Sequence, residues 1–151
     1  MAYIDFEITT PERAVFKQKI RQVSIPTSGG EITLLPGHVP LVAPIEAGEI
    51  RLLDENGAEI LMAVSGGFVT VHGGDRVVIL ADTAERAEEL EIEAIEAAKR
   101  RAEEILKEKI VDEERFADAA AHLARELARL KVARKHRARK TGVLPEATEQ
   151  E

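Results

Sequence analysis

Glycine and proline are distributed very unevenly along this chain of 151 residues. Residues 1–84 hold nine of the ten glycines and five of the six prolines, whereas residues 85–140 contain neither. Glycine allows positive φ angles and proline fixes φ, so the first part is expected to form short strands joined by tight turns. The second part is rich in alanine, glutamate, arginine and leucine, which favour helices. The sequence therefore predicts an α+β chain, with an antiparallel β-sandwich or barrel followed by helices.

Short motifs predict individual strands and turns in the first part. Residues 2–8 alternate between apolar and polar side chains, which is typical of a half-buried strand. Residues 14–25 hold enough apolar side chains for two further extended pieces. The segment LPGH at residues 35–38 has the composition of a type II turn. The dipeptide NG at residues 56–57, between two apolar runs, predicts a β-hairpin.

Two helices are predicted in the second part. Asp82, with Glu85 three residues later, fits a capping box, so helix one is expected to begin there and to run to about Glu108. After a break at residues 109–111, Asp112 can cap helix two.

Helix two carries a heptad-like apolar seam, which is expected to face helix one in an antiparallel hairpin. The seam comprises Phe116, Ala120, Leu123, Leu127 and Leu130. Because two such helices bury little apolar area alone, the hairpin is expected to dock on the first domain or on a partner. Residues 141–151 are predicted to form a disordered tail.

Composition and charge exclude several classes of function. The net charge of −7 argues against nucleic-acid binding. No apolar run approaches the ~20 residues that cross a bilayer, so we expect a soluble protein that reaches membranes only through partners. Zero cysteines exclude disulfides and thiolate metal sites. Residues 125–140, however, hold eight basic residues against the single acid Glu126, and this local charge requires a separate explanation.

The chain shows no motif for catalysis. His38 is the most tempting catalytic candidate, but no histidine has a metal-ligand spacing to another, and no serine lies in a nucleophile motif. The paired glycines are not followed by Lys-Ser or Lys-Thr, so they are not phosphate-binding loops. We therefore predict no enzymatic activity, no metal and no cofactor, and interpret His38 as a surface residue at a protein interface.

Two segments identify a family. Residues 25–41, IPTSGGEITLLPGHVPL, resemble the pattern IPT-x-x-G-E-x-x-x-LPGH-x-P-L of the epsilon subunits of bacterial and chloroplast-type rotary ATP synthases. A second resemblance covers residues 64–90, VSGGFVTV followed by VVILADTAERAEEL. The resemblance implies a roughly ten-stranded antiparallel β-sandwich over residues 1–84 and a mobile helical hairpin over residues 85–140.

The resemblance also implies partners and contact residues. The subunit would couple rotation of a membrane ring to ATP synthesis, at the cytoplasmic face of a bacterial plasma membrane rather than at a thylakoid. The gamma subunit would contact His38, Val39 and Leu41. The rotor ring would contact the loop formed by Ser28, Gly29, Gly30 and Glu31.

The helical hairpin is implied to regulate ATP hydrolysis. In an extended, inhibitory state, basic side chains would meet acidic segments of the alpha and beta catalytic subunits; these are Arg125, Arg129, Arg134 and Lys135. Some relatives bind ATP through an L/I-D-x-x-R-A motif at the start of helix one. Here the motif reads Leu90, Glu91 and Ala94, and because alanine cannot replace the guanidinium, we do not expect ATP to bind by this route.

Two other classes of function remain open on the residues alone. A free-standing adaptor could combine a sandwich module with a coiled-coil dimerisation arm, because the seam on helix two permits one. A small RNA-binding protein could use the basic end of helix two, but the net charge and the lack of stacking aromatics argue against it.

Overall fold

The computed structural model describes residues 2–108 and 112–141, which form nine strands, a short 3-10 helix and two α-helices. The strands are β1 (Ile4–Thr9), β2 (Ala14–Thr27), β3 (Gly30–Leu34), β4 (Leu41–Ile45), β5 (Gly48–Asp54), β6 (Glu59–Val64), β7 (Gly67–His72), β8 (Arg76–Ala81) and β9 (Ala84–Arg86). The 3-10 helix spans Ala87–Glu89 and is followed by α1 (Ile92–Lys107) and α2 (Glu113–Thr141).

The strands form a single hydrogen-bonded sheet that folds over on itself. Its order is β1-β8-β7-β4-β2-β5-β6-β9, with β3 on β2 and an additional pairing of β1 with β2. The long strand β2 makes this closure possible, since its first half pairs with β1 and its second half with β3 and β5. The predicted α+β sandwich with two following helices is confirmed. All pairings are antiparallel except that of β1 with β8, and the described residues form nine strands rather than ten.

The sandwich core is filled by one face of each long strand. Alternating residues such as Ile4, Phe6 and Ile8 of β1 are buried, as the alternation predicted. Phe6 meets Phe16 of β2 edge to face, with ring centroids 5.9 Å apart. The remaining core is almost entirely aliphatic, which agrees with the low aromatic content of the chain.

The predicted turns at residues 35–38 and 56–57 are confirmed. Gly37 has a φ of +84°, and the His38 N–H donates to the Leu35 carbonyl at 3.3 Å. Gly57 has a φ of +81° in the turn between β5 and β6. These turns fix the positions of the loops that the sandwich displays.

Two local predictions in the first part are wrong. Residues 14–25 lie in one continuous strand, β2, rather than in two extended pieces. The helix predicted to follow an Asp82 cap does not begin there, because residues 84–86 pair with β6 as β9. The Asp82 N–H donates to the Gly66 carbonyl at 3.0 Å, and the Thr83 N–H donates to Ser65 Oγ at 3.0 Å. These bonds hold the segment in an extended conformation, and the first α-helix begins only at Ile92.

The two helices form an antiparallel arm. Ile95 near the start of α1 packs against Leu130 and Ala133 in the second half of α2. Asp112 caps α2 as predicted, since its Oδ1 accepts the Arg115 N–H at 2.7 Å. The predicted break at 109–111 and residues 142–151 of the predicted tail lie outside the described residues, whereas Thr141, the first residue of that tail, belongs to α2.

The predicted seam of α2 is mostly wrong. Phe116 and Leu127 are exposed, and of the five seam residues only Leu130 is buried. The buried residues of α2 are instead Ala119, Glu126, Ala128, Leu130, Val132 and Ala133. The reason is that α2 packs against two surfaces, α1 on one side and the sandwich on the other, so its buried side is broader than one heptad stripe.

Candidate interaction surfaces

The turn carrying His38 is exposed at one corner of the sandwich. His38 and Val39 are both exposed, and Val39 retains 70% of its accessible surface. The Gly37 N–H donates to a carboxylate oxygen of Asp75, which ties this turn to the turn between β7 and β8. Leu41 differs from its neighbours, because it is half-buried and packs against the core.

Next to this turn lies a set of exposed apolar side chains, which we call the apolar face. It is the outer surface of β4, β7 and β8; its exposed members are Val42, Pro44, Phe68 and Leu80, and Val78 beside them is half-buried. Pro44, Phe68 and Leu80 lie side by side on the three strands, and Phe68 is 57% exposed. Clustered apolar side chains of this size on a surface mark a contact with another molecule.

Gly67 allows β7 to approach β8 closely at the edge of the apolar face. Its φ is +136°, and a Cβ at this position would lie 2.0 Å from the Leu80 carbonyl oxygen. Any other residue would therefore push β7 away from β8. Gly67 is thus required by strand packing, whereas Gly66 before it has a positive φ of +125° that favours glycine.

Ser28 and Gly29 join β2 to β3, and together with Gly30 and Glu31, the first two residues of β3, they form an exposed tip that we call the Ser28 loop. Thr27 beside it pairs with Ile45, the last residue of β4, whereas His38 precedes the first residue of β4. The Ser28 loop and the His38 turn therefore lie at opposite ends of β4, which is a strand of about 15 Å. The two predicted contact sites are therefore separated by the length of β4. The outer surface of β4 belongs to the apolar face, which lies between them.

The opposite outer surface of the sandwich is covered by α2, and we call it the covered face. It is formed by β5, β6 and β9 and combines acidic side chains with a small apolar cluster. Leu61 and Ala63 of β6 form an apolar cluster with Ala87 and with Val132 of α2. Val132 has no exposed surface.

Three ion pairs surround this apolar cluster, one on each strand of the covered face. Arg129 Nη2 lies 2.8 Å from Glu85 Oε2 on β9, and Lys135 Nζ lies 2.9 Å from Glu49 Oε1 on β5. Arg139 Nη2 lies 3.0 Å from Glu59 Oε1 on β6. Much of the basic run of α2 is therefore matched by acidic side chains of the sandwich.

Other basic residues of the run pair within the arm. Arg134 contacts Glu96 of α1 at 3.2 Å. Arg129 Nη1 also lies 3.0 and 2.9 Å from the two oxygens of Glu126, whose side chain is 1% exposed. Arg125 lies 3.6 Å from the same carboxylate. Glu126, the single acid of the basic run, is thus buried against two of the four basic residues predicted to contact a partner, and it accepts hydrogen bonds from Arg129.

The degraded ATP motif offers little to a nucleotide. Leu90 is half-buried at the junction of the sandwich and the arm. It packs against two apolar clusters, one that contains Val132 and one that contains Ile95. Glu91 is exposed at the start of α1, and Ala94 is exposed with no polar side chain. The structure brings these positions near α2, but it supplies carboxylates there rather than a cation from α1.

Reasoning from the sequence missed the apolar face and the acidic partners of α2. The strand alternation carried a signal for the former: Val69 and Val71 are buried, which leaves Phe68 pointing outward. No local signal identified Glu49, Glu59 or Glu85 as partners, because they lie 86, 80 and 44 residues from their bases.

In residues 2–108 and 112–141, no group of three or more histidine or acidic side chains could hold a metal ion. Within the same ranges, neither helix is long and apolar enough to cross a membrane.

Comparison with known proteins places the sandwich in the class of ATP synthase delta/epsilon chains. Residues 3–87 match the family model described as the ATP synthase delta/epsilon chain β-sandwich domain. A chain in the cryo-EM structure of the Euglena gracilis mitochondrial ATP synthase shares the fold, with a TM-score of 0.75 and 24% identity over 88% of this chain and 82% of that chain.

Curated relatives narrow the class. An ATP synthase epsilon chain of Dehalococcoides mccartyi is 43% identical over 137 residues, which cover 91% of this chain and 96% of the relative. An epsilon chain of Moorella thermoacetica is 44% identical over 133 residues, covering 88% and 98%. The chain therefore belongs to the epsilon chain family of the ATP synthases, and the resemblance noted in the sequence is confirmed.

Proposed function

We propose that this chain is a non-catalytic rotor subunit that joins the gamma subunit to the membrane ring at the cytoplasmic face of a bacterial plasma membrane. In this role it transmits ring rotation, driven by proton transport, to ATP synthesis. The observation that carries the proposal is the apolar face, because a subunit that must turn with its neighbours needs a lasting contact that excludes water. The known names of its relatives support the same assignment.

The gamma subunit is proposed to cover the apolar face together with His38 and Val39. Val42, Phe68 and Leu80 each expose more than half of their surface there. Leu41, predicted as a contact, is half-buried against the core, so Val42 contributes more surface to the proposed interface.

The rotor ring is proposed to contact the Ser28 loop. Its glycines give the backbone room to approach a partner closely, and Glu31 supplies a charge. Because this loop and the His38 turn lie at opposite ends of β4, one sandwich can hold both partners at once.

The arm is proposed to inhibit ATP hydrolysis when it leaves the covered face and extends toward the alpha and beta subunits. Arg125, Arg129, Arg134 and Lys135 would then contact acidic segments of those subunits. In the docked arm all four contact its own side chains. Arg129 and Lys135 pair with Glu85 and Glu49 of the sandwich and cannot serve both states, so docking on the sandwich and binding of these two bases to the catalytic subunits exclude each other.

A reconstitution experiment tests the proposal. Catalytic complex that contains gamma but lacks this subunit is titrated with the full chain while binding and ATP hydrolysis are measured. We expect stable binding that persists in high salt, because the proposed gamma contact is mainly apolar, together with a fall in hydrolysis. Absence of binding to gamma would refute the proposed role, and binding without inhibition would refute the role of the arm.

A further inference from the structure

Glu49 is a buried carboxylate that two cations share. Its side chain is 5% exposed, and its Oε1 accepts a hydrogen bond from Lys135 Nζ at 2.9 Å. Arg51 Nε lies 3.3 Å from the same oxygen. The second oxygen, Oε2, is buried and has no hydrogen-bond partner among the described residues. Oε1 of Glu49 thus contacts two cations, Arg51 and Lys135, whereas Oε2 has no hydrogen-bond donor among the described residues.

Arg51 also reaches the loop between β2 and β3. Its Nη2 pairs with Oε1 of Glu31, the last residue of the Ser28 loop. The charges alternate along a line from this exposed loop to the arm, namely Glu31, Arg51, Glu49 and Lys135. The loop and the arm, which belong to different parts of the chain, are therefore connected through two side chains of β5.

The shared oxygen makes Arg51 a competitor of Lys135. When the arm is docked, the two cations repel each other, and an acceptor of Glu49 stays unpaired, which costs free energy in a buried place. When the arm leaves, Arg51 is free to form two parallel bonds with both oxygens of Glu49, the arrangement that guanidinium and carboxylate groups prefer. Arg51 therefore stabilises the undocked arm more than the docked arm.

Glu31 determines how strongly Arg51 competes. Its carboxylate draws the guanidinium toward the loop and away from Glu49. If another group binds the Glu31 carboxylate, Arg51 interacts more strongly with Glu49. The ion pair between Glu49 and Lys135 is then weakened.

We propose that Glu31, Arg51 and Glu49 couple the Ser28 loop to docking of the arm, so that a cationic or hydrogen-bond-donating group of a partner at the loop releases the arm. The identity of that partner as the membrane ring rests on the function proposed above. The coupling itself is a property of the isolated chain and can be measured without any partner.

The test measures the ratio of docked to undocked arm in the full-length protein. Because the chain has no cysteine, Ala58→Cys and Lys140→Cys provide two unique positions for spin labels near the Arg139–Glu59 pair. The distance between the labels is short only when the arm is docked. All variants carry Val132→Ala, which weakens docking without changing a charge and keeps the ratio measurable.

The expected changes differ in sign. Glu49→Gln and Lys135→Met should each lower the ratio about tenfold, because a buried charge-assisted bond is lost. Arg51→Met should raise the ratio about threefold by removing the competitor, and Glu31→Gln should lower it about threefold. The effect of Glu31→Gln should vanish when Arg51 is already methionine. Matched controls are Arg76→Met and Glu7→Gln, a strand arginine and its glutamate partner, which should leave the ratio unchanged.

Two outcomes would overturn the coupling. A fall in the ratio with Arg51→Met would make Arg51 an ordinary support of the docked arm. An unchanged ratio with Glu31→Gln would disconnect the loop from the arm. Neither result affects binding of the wild-type chain to gamma in the reconstitution, so failure of the coupling and failure of the proposed function remain distinguishable.

Discussion

The two outer faces of the sandwich differ in what covers them. The apolar face of β4, β7 and β8 exposes large side chains such as Phe68 and Leu80. The covered face of β5, β6 and β9 has a small apolar cluster in its centre, which includes Leu61 and Ala63, and acidic side chains around it. Within residues 2–108 and 112–141, nothing covers the first face, whereas α2 covers the second.

This difference indicates contacts of different lifetime. Large apolar surfaces gain free energy in proportion to the area removed from water, and salt hardly weakens that gain. Ion pairs around a small apolar centre contribute less, and they can be exchanged for pairs with another acidic surface. The apolar face therefore suits a permanent neighbour, whereas the covered face suits an arm that docks and leaves.

Val132→Asp is the strongest test of the covered face. Val132 is fully buried in the small cluster under α2, so a carboxylate there would lose its hydration among apolar side chains, and the surrounding bases are already paired with Glu49, Glu59 and Glu85. We expect docking of the arm to lose about 3–5 kcal/mol, which is enough to undock it. Spin labels at positions 58 and 140 would report the separation.

Leu127→Asp is the matched control for this substitution, since Leu127 lies on the same helix but is exposed. Its arm should remain docked. If Val132→Asp also remained docked, the ion pairs and not the apolar cluster would hold the arm, and the comparison of the two faces would be wrong.

Phe68→Glu tests the apolar face with a smaller expected effect. Because the side chain is exposed, the stability of the isolated chain should change by no more than about 0.5 kcal/mol. Affinity for gamma should nevertheless fall on the order of tenfold or more, as expected for a large aromatic at the centre of an interface. Calorimetric titration of gamma with the variant chain would measure this change.

Phe116→Glu serves as its control, because Phe116 is the exposed phenylalanine of the arm. It should leave the affinity for gamma unchanged. Equal losses for both variants would show that exposed apolar side chains in general, and not this face, determine binding.

The sequence predicted those parts of the fold that local chemistry determines. The turns at Gly37 and Gly57 and the Asp112 cap need only neighbouring residues, and all three are present. The start of the first helix was wrong because residues 84–86 have a helical composition but pair with β6, and this long-range pairing outweighs local preference.

The surfaces were predictable only in part, for a related reason. The basic run of α2 is visible in the sequence, but its acidic partners lie on three distant strands and become neighbours only through the fold. Similarly, a heptad pattern cannot show that α2 packs against two surfaces. Because of this packing, Leu127 is exposed and Val132 is buried. The contact residues predicted for gamma, the ring and the catalytic subunits stay predictions.

Arg134→Ala is the most selective test of the arm as an inhibitor, although its effect on stability is the smallest. The Arg134 side chain is 59% exposed, and its pair with Glu96 lies at the surface, so docking should change by at most about 0.5 kcal/mol. If the extended arm contacts acidic segments of the catalytic subunits, inhibition of ATP hydrolysis in the reconstituted complex should weaken several-fold. Glu96→Ala breaks the same pair but retains the arginine, so it should leave inhibition intact. Equal relief by both variants would assign the effect to the pair within the arm, and no relief by either would remove Arg134 from the inhibitory contact.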